Sequence, residues 1–149
     1  MKKAKLFLLA LTAFSAVTIT SCGGDDDNAP VTPPAPSIEG TWFYSKDGMG
    51  TTSNEMLQPY QHATGCTKDH IEVMANGDFV DHSFSGSPCL ESEEMLKWTR
   101  QGNKITVDEG ETETVYEILN HTDSELKLGE VLSTQGGMAI YDITVFTRS

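Results

Sequence analysis

The chain is poor in cysteine, in basic residues and in long apolar stretches. Its three cysteines in 149 residues are too few for a disulfide scaffold and include no CxxC pair. Lysine and arginine number 10 against 22 aspartates and glutamates. Three of those basic residues, Lys2, Lys3 and Lys5, sit at the very start, and residues 22–149 carry a formal charge of −15. A surface that negative repels phosphate backbones and anionic lipid headgroups, which excludes nucleic-acid binding and electrostatic docking on a membrane. The longest apolar run, Leu6 to Ile19, falls short of the ~20 residues a helical span requires. No HExxH, EF-hand loop or GxSxG occurs. A hydrophobic content of 38% still suffices for a core and argues against wholesale disorder.

The N-terminal region reads as an address. A basic start, Met1-Lys2-Lys3-Ala4-Lys5, precedes an apolar run of signal-peptide length, so residues 1–21 are predicted to be a signal peptide. The run ends in Ile19-Thr20-Ser21-Cys22, which resembles the lipobox of bacterial lipoproteins and implies cleavage before Cys22 and lipidation of Cys22. Acyl chains at ~0.8 kcal/mol per buried methylene then supply the anchor. The alternative is ordinary cleavage that leaves a free cysteine. Gly23-Gly24-Asp25-Asp26-Asp27 resembles the surface-export signal of Bacteroidetes-type lipoproteins, implying outer-membrane attachment with display on the cell surface. The bland reading is a solvated acidic spacer. Pro30, Pro33, Pro34 and Pro36 favour extended polyproline II, so residues 22–37 form a lipid-bearing tether and the folded domain spans 38–149.

Beyond the tether, short alternating segments recur between turn residues, the signature of an antiparallel all-β domain. Ile38, Gly40, Trp42 and Tyr44 share one face of a first strand. Asn76-Gly77 predicts a type I′ hairpin setting Val73 opposite Val80 and Ile71 opposite His82, with Phe84 on the same face and His70, Glu72 and Asp81 on the other. Gly102-Asn103 predicts a second hairpin pairing Trp98 with Val107 and Arg100 with Ile105, which puts Leu96, Trp98, Ile105 and Val107 on one face. Tyr116 and Ile118, Leu126 and Leu128, and Tyr141, Ile143 and Val145 alternate in three further strands. Eight strands on short turns fit an antiparallel up-and-down β-barrel, which encloses either a packed interior or one small ligand.

Ile38-Glu39-Gly40-Thr41-Trp42 resembles the Gly-x-Trp signature of lipocalin-like barrels. Cys66, Asp69 and the run Val73-Met74-Ala75-Asn76-Gly77-Asp78-Phe79, followed by Trp98, Gly102-Asn103, Ile105 and Thr147-Arg148, resemble the lipocalin-like domain of Bacteroidetes-type outer-membrane lipoproteins. The resemblance spans roughly residues 38–148 and departs over Lys46–Gly65. It implies that Trp42 packs at the closed end under Arg148, with Gly40, Trp42 and Arg148 as the structural signature. With Cys22 assigned to lipid, Cys66 and Cys89 remain as a disulfide pair around the first hairpin, or else as two buried thiols.

The candidate ligand-binding residues are Tyr44, His82, Trp98, Tyr116 and Tyr141, because buried hydroxyls and imidazoles need polar partners. They either satisfy one another or orient a small hydrophobic or amphipathic ligand. Met56, Leu57 and Tyr60 are expected near the barrel mouth, with Asn54 capping a short helix that Pro59 interrupts. No metal is expected, since His70 and His82 fall on opposite faces in this register and His62 and His121 lie in loops. Asp108–Glu113 reads as a solvated acidic turn. No nucleophile–base pair can be built, and Glu93 and Glu94 point to opposite faces, so no catalytic residue, cofactor or enzymatic activity is expected. Two functions remain: a monomeric surface lipoprotein binding a small ligand, or a structural domain with a filled barrel that contacts surface proteins or glycans.

Overall fold

The computed structural model describes residues 36–148; the signal peptide, Cys22, the acidic run and most of the tether lie outside the described residues. Nine strands follow in chain order: β1 (Gly40–Gly50), β2 (Glu55–Pro59), β3 (His70–Val73), β4 (Asp78–Ser85), β5 (Leu90–Gln101), β6 (Lys104–Asp108), β7 (Glu113–His121), β8 (Glu125–Gln135) and β9 (Met138–Thr147). All pairings are antiparallel between neighbours, and β1 pairs with both β3 and β9, so the sheet closes on itself. The domain is an all-β, up-and-down barrel. The eight strands read from the sequence are β1 and β3 to β9, and β2 is the addition.

β2 replaces the short helix expected after Asn54. The Thr51 amide donates to the Asn54 carbonyl, and the Asn54 amide donates to Thr51 Oγ1; the hairpin so closed takes the carbonyl that a helix capped at Asn54 would use as its first acceptor. The hairpin curls tightly, and a Cβ at Gly48 would stand 2.0 Å from the Met56 carbonyl oxygen. β2 thereby reaches across β1: Leu57 packs on Tyr141, Ile143 and Val145 of β9, and Lys127 Nζ of β8 meets Glu55 at 2.7 Å.

The two predicted hairpins differ in outcome. Gly102, at φ 63°, occupies the first central position of a two-residue turn, and Trp98↔Val107 and Arg100↔Ile105 pair as read from the sequence. At Asn76-Gly77 only the glycine has positive φ, 86°, whereas a type I′ turn requires it at both residues. The turn instead takes in Ala75, the Gly77 amide donating to the Met74 carbonyl, and Val73 pairs with Phe79 rather than Val80. One residue of slip turns β4 over. Phe79 and Asp81 face inward, while Val80, His82 and Phe84 face outward, and His70 stands directly opposite His82 with the rings stacked at 4.5 Å.

β9 is inverted as well. Leu126↔Phe146 and Leu128↔Thr144 pair on the inner face, so Tyr141, Ile143 and Val145 lie outside. They are buried nonetheless, because Leu57, Leu119 and Ala139 cover them. The inner core of the closed half is built from Ile38, Trp42, Ile71, Val73, Ile105, Val107, Leu126, Leu128 and Phe146.

Candidate functional site

The two ends of the barrel differ in chemistry. At the closed end the segment before β1 tucks Ile38 against Trp42, whose Nε1–H donates to the Ile38 carbonyl at 2.7 Å. The Arg148 guanidinium lies over the Trp42 ring, with Cζ 4.1 Å from its centroid, and donates to the carbonyls of Ser37 and Glu39. Gly40 has φ 120°, a backbone conformation that a residue with a side chain rarely adopts, and Arg148 packs against it. His121 meets the edge of Trp42 at 5.9 Å. Burial, and then the charges of Arg100 and Arg148, hold its imidazole below its ordinary pKa. This end is sealed by aromatic and cationic packing.

The other half of the interior holds a cavity of about 140 Å³. Its apolar wall is Phe79, Leu96, Val107, Leu128 and Phe146, with the tyrosines Tyr44 and Tyr116. Its polar wall is Asp81, Glu94, Glu109 and Thr144, with no basic side chain among them. β4 and β5 deliver the carboxylates as a pair: the Asp81↔Glu94 register stacks them next to Phe79↔Leu96 on the inner face. A cavity of 150 Å³ is large enough to take benzene, so this one accepts about one ring.

Asp81 is the focus of the polar wall. Its Oδ2 accepts from the Tyr44 hydroxyl at 3.0 Å, while its Oδ1 is buried with no protein partner. Burial, the largest cause, and the charges of Glu94 and Asp69 push its carboxyl above the usual range, against the Tyr44 hydrogen bond and His82, which lower it. Burial and Asp81 likewise push the Tyr44 hydroxyl up. Tyr116 is raised by burial and by the charges of Glu130, Glu109, Asp81 and Asp142, so the whole open half is electronegative.

The loop beside the mouth is fixed by a separate network. The Asp69 amide donates to His62 Nδ1, so the His62 Nε2–H donates to the Tyr44 carbonyl at 3.0 Å. Asp69, only 4% exposed, accepts the Phe84 amide at 2.8 Å. Tyr60 stacks on Tyr44 at 4.7 Å, and burial followed by Asp69 pushes its hydroxyl up to about 12. The Cys66–Cys89 disulfide, with Cα atoms 5.4 Å apart, ties this loop to the turn after β4.

Of the five candidate ligand residues, the structure brings Tyr44 and Tyr116 to the cavity. Trp98 packs against the inner core with Nε1–H donating to the Met74 carbonyl at 2.9 Å, outside the cavity lining. His82 and Tyr141 are corrected: both belong to the outer face, where His82 Nδ1 meets Glu91 at 2.9 Å and Tyr141 donates to Glu117 at 2.9 Å. Of the residues expected at the mouth, Tyr60 lies beside Tyr44, Leu57 packs outside the barrel and Met56 is exposed. Sequence reasoning missed Asp81, Glu94, Glu109, Phe79 and Phe146. A signal existed for the first two. Counting back from the four-residue turn Gly86–Cys89 sets Ser85 against Leu90 and hence Asp81 against Glu94, on the parity of Leu96 and Trp98.

An up-and-down antiparallel barrel, sealed by a Gly-x-Trp strand and an arginine and hollow at its other end, defines the architectural class. The profile of the lipocalin-like domain family matches residues 37–128, and the chain belongs to that family. Among solved structures it is similar to a lipocalin-like protein from Bacteroides uniformis, at 11% identity over 75% of this chain and 98% of that one, with a TM-score of 0.49. It is also similar to lobster apocrustacyanin A1, at 17% identity over 74% and 60% of the two chains, TM-score 0.44. For bovine odorant binding protein the values are 14% identity, 74% and 72% coverage and a TM-score of 0.42. No curated protein matches the chain in sequence.

Proposed function

We propose that the protein is a non-catalytic binding protein, lipid-anchored through Cys22 in the outer membrane and displayed on the cell surface as a monomer. Its barrel takes a small amphipathic ligand of about one ring, whose polar end carries hydrogen-bond donors or positive charge. The observation that carries this reading is Asp81 Oδ1, a buried acceptor without a protein partner, on the acidic wall of a cavity whose other wall is Phe79, Leu96, Leu128 and Phe146. A buried unsatisfied acceptor costs about 1–3 kcal/mol, which a donor on a ligand recovers. The acidic lining with no opposing base favours an amine over a carboxylic acid. The cavity also speaks against the alternative of a filled, purely structural barrel.

Saturation-transfer NMR with single-ring amines, alcohols, acids and hydrocarbons tests the ligand. Amines are expected to bind most tightly and acids not at all; equal binding of acids and amines would refute the role given to Asp81. Mass spectrometry of the mature N-terminus tests the anchor, with an acylated Cys22 expected and an unmodified N-terminus refuting it.

A further inference from the structure

The register at Asn76-Gly77 has a chemical result on the outer face of the barrel, on the far side of β4 from the cavity. His70 and His82 stand opposite each other, and the ligand atoms of His70, Glu72 and His82 all lie within 4.8 Å of one another. Each imidazole has one nitrogen already committed. His70 Nδ1 lies 3.0 Å from the Lys68 carbonyl, which only accepts, so that nitrogen carries the proton. His82 Nδ1 lies 2.9 Å from Glu91 and 3.5 Å from Glu93, so it too carries the proton. Nε2 of each ring is left as the unprotonated, electron-pair-bearing nitrogen. His82 Nε2 is buried without a protein partner, on a side chain only 10% exposed.

We propose that His70, Glu72 and His82 bind a divalent transition-metal ion of the Zn²⁺ type through the two Nε2 atoms and the Glu72 carboxylate. Two imidazoles and one carboxylate, with a fourth position for water, are a common donor set for zinc, whereas calcium and magnesium take oxygen ligands. The outer contacts fit as well. Metal-bound histidines donate their second N–H to a carboxylate or a backbone carbonyl, which is what Glu91 does for His82 and Lys68 for His70. The surrounding charge is favourable: Glu72 from β3 and Glu91 and Glu93 from β5 face the pair, while Phe43 and Phe84 flank His70 without charge. The two rings lie within 5° of parallel, so their in-plane lone pairs run side by side and do not converge. Binding therefore requires one ring to tip, and the half-buried His70 is the one free to do so. The site is independent of the cavity ligand.

The test is titration of the purified full chain with Zn²⁺, following the histidine ring resonances by NMR and the affinity by competition with a chromophoric chelator. One equivalent is expected to move the His70 and His82 signals and leave those of His62 and His121 in place. His70→Gln and His82→Gln are each expected to weaken binding about 100-fold or more, since even an outer partner such as Glu91, tested as Glu91→Gln, is worth about 10–100-fold. If His82→Gln does not fold, His70→Gln, at the half-exposed ring, decides. Absence of binding, movement of His62 or His121 instead, or wild-type affinity in His70→Gln would overturn the proposal.

Discussion

Cutting the Cys66–Cys89 bridge should reveal how much of the mouth is held by a constraint on the unfolded chain. The two residues are separated by 23 positions, and a closed loop of that length lowers the entropy of the unfolded state by the equivalent of about 3–4 kcal/mol. Cys89 adds a second, separable term. Its φ is 62°, the only positive value among the described non-glycine residues, and an L-residue there costs about 1–2 kcal/mol that glycine does not. Cys66→Ser is therefore expected to lose the full loop term and to melt about 10–20 °C lower, at about 3–5 °C per kcal/mol for a domain of this size. Cys89→Gly loses the same loop term but escapes the backbone cost, so it should be about 1 kcal/mol more stable than Cys89→Ser. The double serine variant should be no worse than the less stable single one, because one bond is lost in all of them. Urea unfolding without reductant, with the remaining thiol alkylated in the single variants, measures all four. Single variants within about 1 kcal/mol of wild type would rule out the loop term, and Cys89→Gly no better than Cys89→Ser would rule out the backbone term.

Four further variants test the geometry. Asp81 has a folded-state pKa above its unfolded value, so its charge opposes folding at neutral pH, and that penalty fades as pH falls through the raised pKa towards about 4; Asp81→Asn should raise the melting temperature at pH 7 and lose the advantage near pH 4, and an unchanged or lower melting point at pH 7 would contradict this. At Gly129 an added Cβ would come within 2.7 Å of Leu119 Cδ1 and 2.9 Å of Tyr141 Cδ1, so Gly129→Ala should cost about 1–3 kcal/mol in urea unfolding, whereas Tyr141→Phe, on the outer face, should leave ligand binding untouched in the same NMR screen. Arg148→Ala removes the contact over Trp42 and the hydrogen bonds to Ser37 and Glu39, and a loss of about 2–3 kcal/mol is expected by denaturant titration.

The fold was legible because its turns and alternations are local signals. Gly102-Asn103 set the correct register since one glycine at the first turn position suffices there, and Trp98, Leu96, Ile105 and Val107 then confirmed the face. Asn76-Gly77 misled because the same dipeptide serves a longer turn in which only Gly77 has positive φ, and a single residue of slip exchanged Asp81 for His82. At β9 the rule that the more apolar face points inward failed for a non-local reason. β2 folds over the outside and buries Tyr141, Ile143 and Val145, while the inside of that half carries Thr144 and Asp142 alongside an acidic cavity. Nothing within Met138–Thr147 signals a covering strand as far back in the chain as Glu55–Pro59. The site was accordingly read only in part: Tyr44 and Tyr116 from their alternation, the carboxylates not at all.

The proposed function requires the interior to hold an amphipathic ligand of one ring with its donor on Asp81. Backbone-amide NMR shift mapping with benzylamine tests it most directly, on wild type, Asp81→Asn and Leu128→Trp, whose new side chain fills the cavity wall beside Phe146. Wild type is expected to show shifts at Asp81, Glu94, Leu96 and Tyr116, Asp81→Asn at least about tenfold weaker binding, and Leu128→Trp none. Shifts confined to the outer face, or undiminished binding in Leu128→Trp, would contradict it.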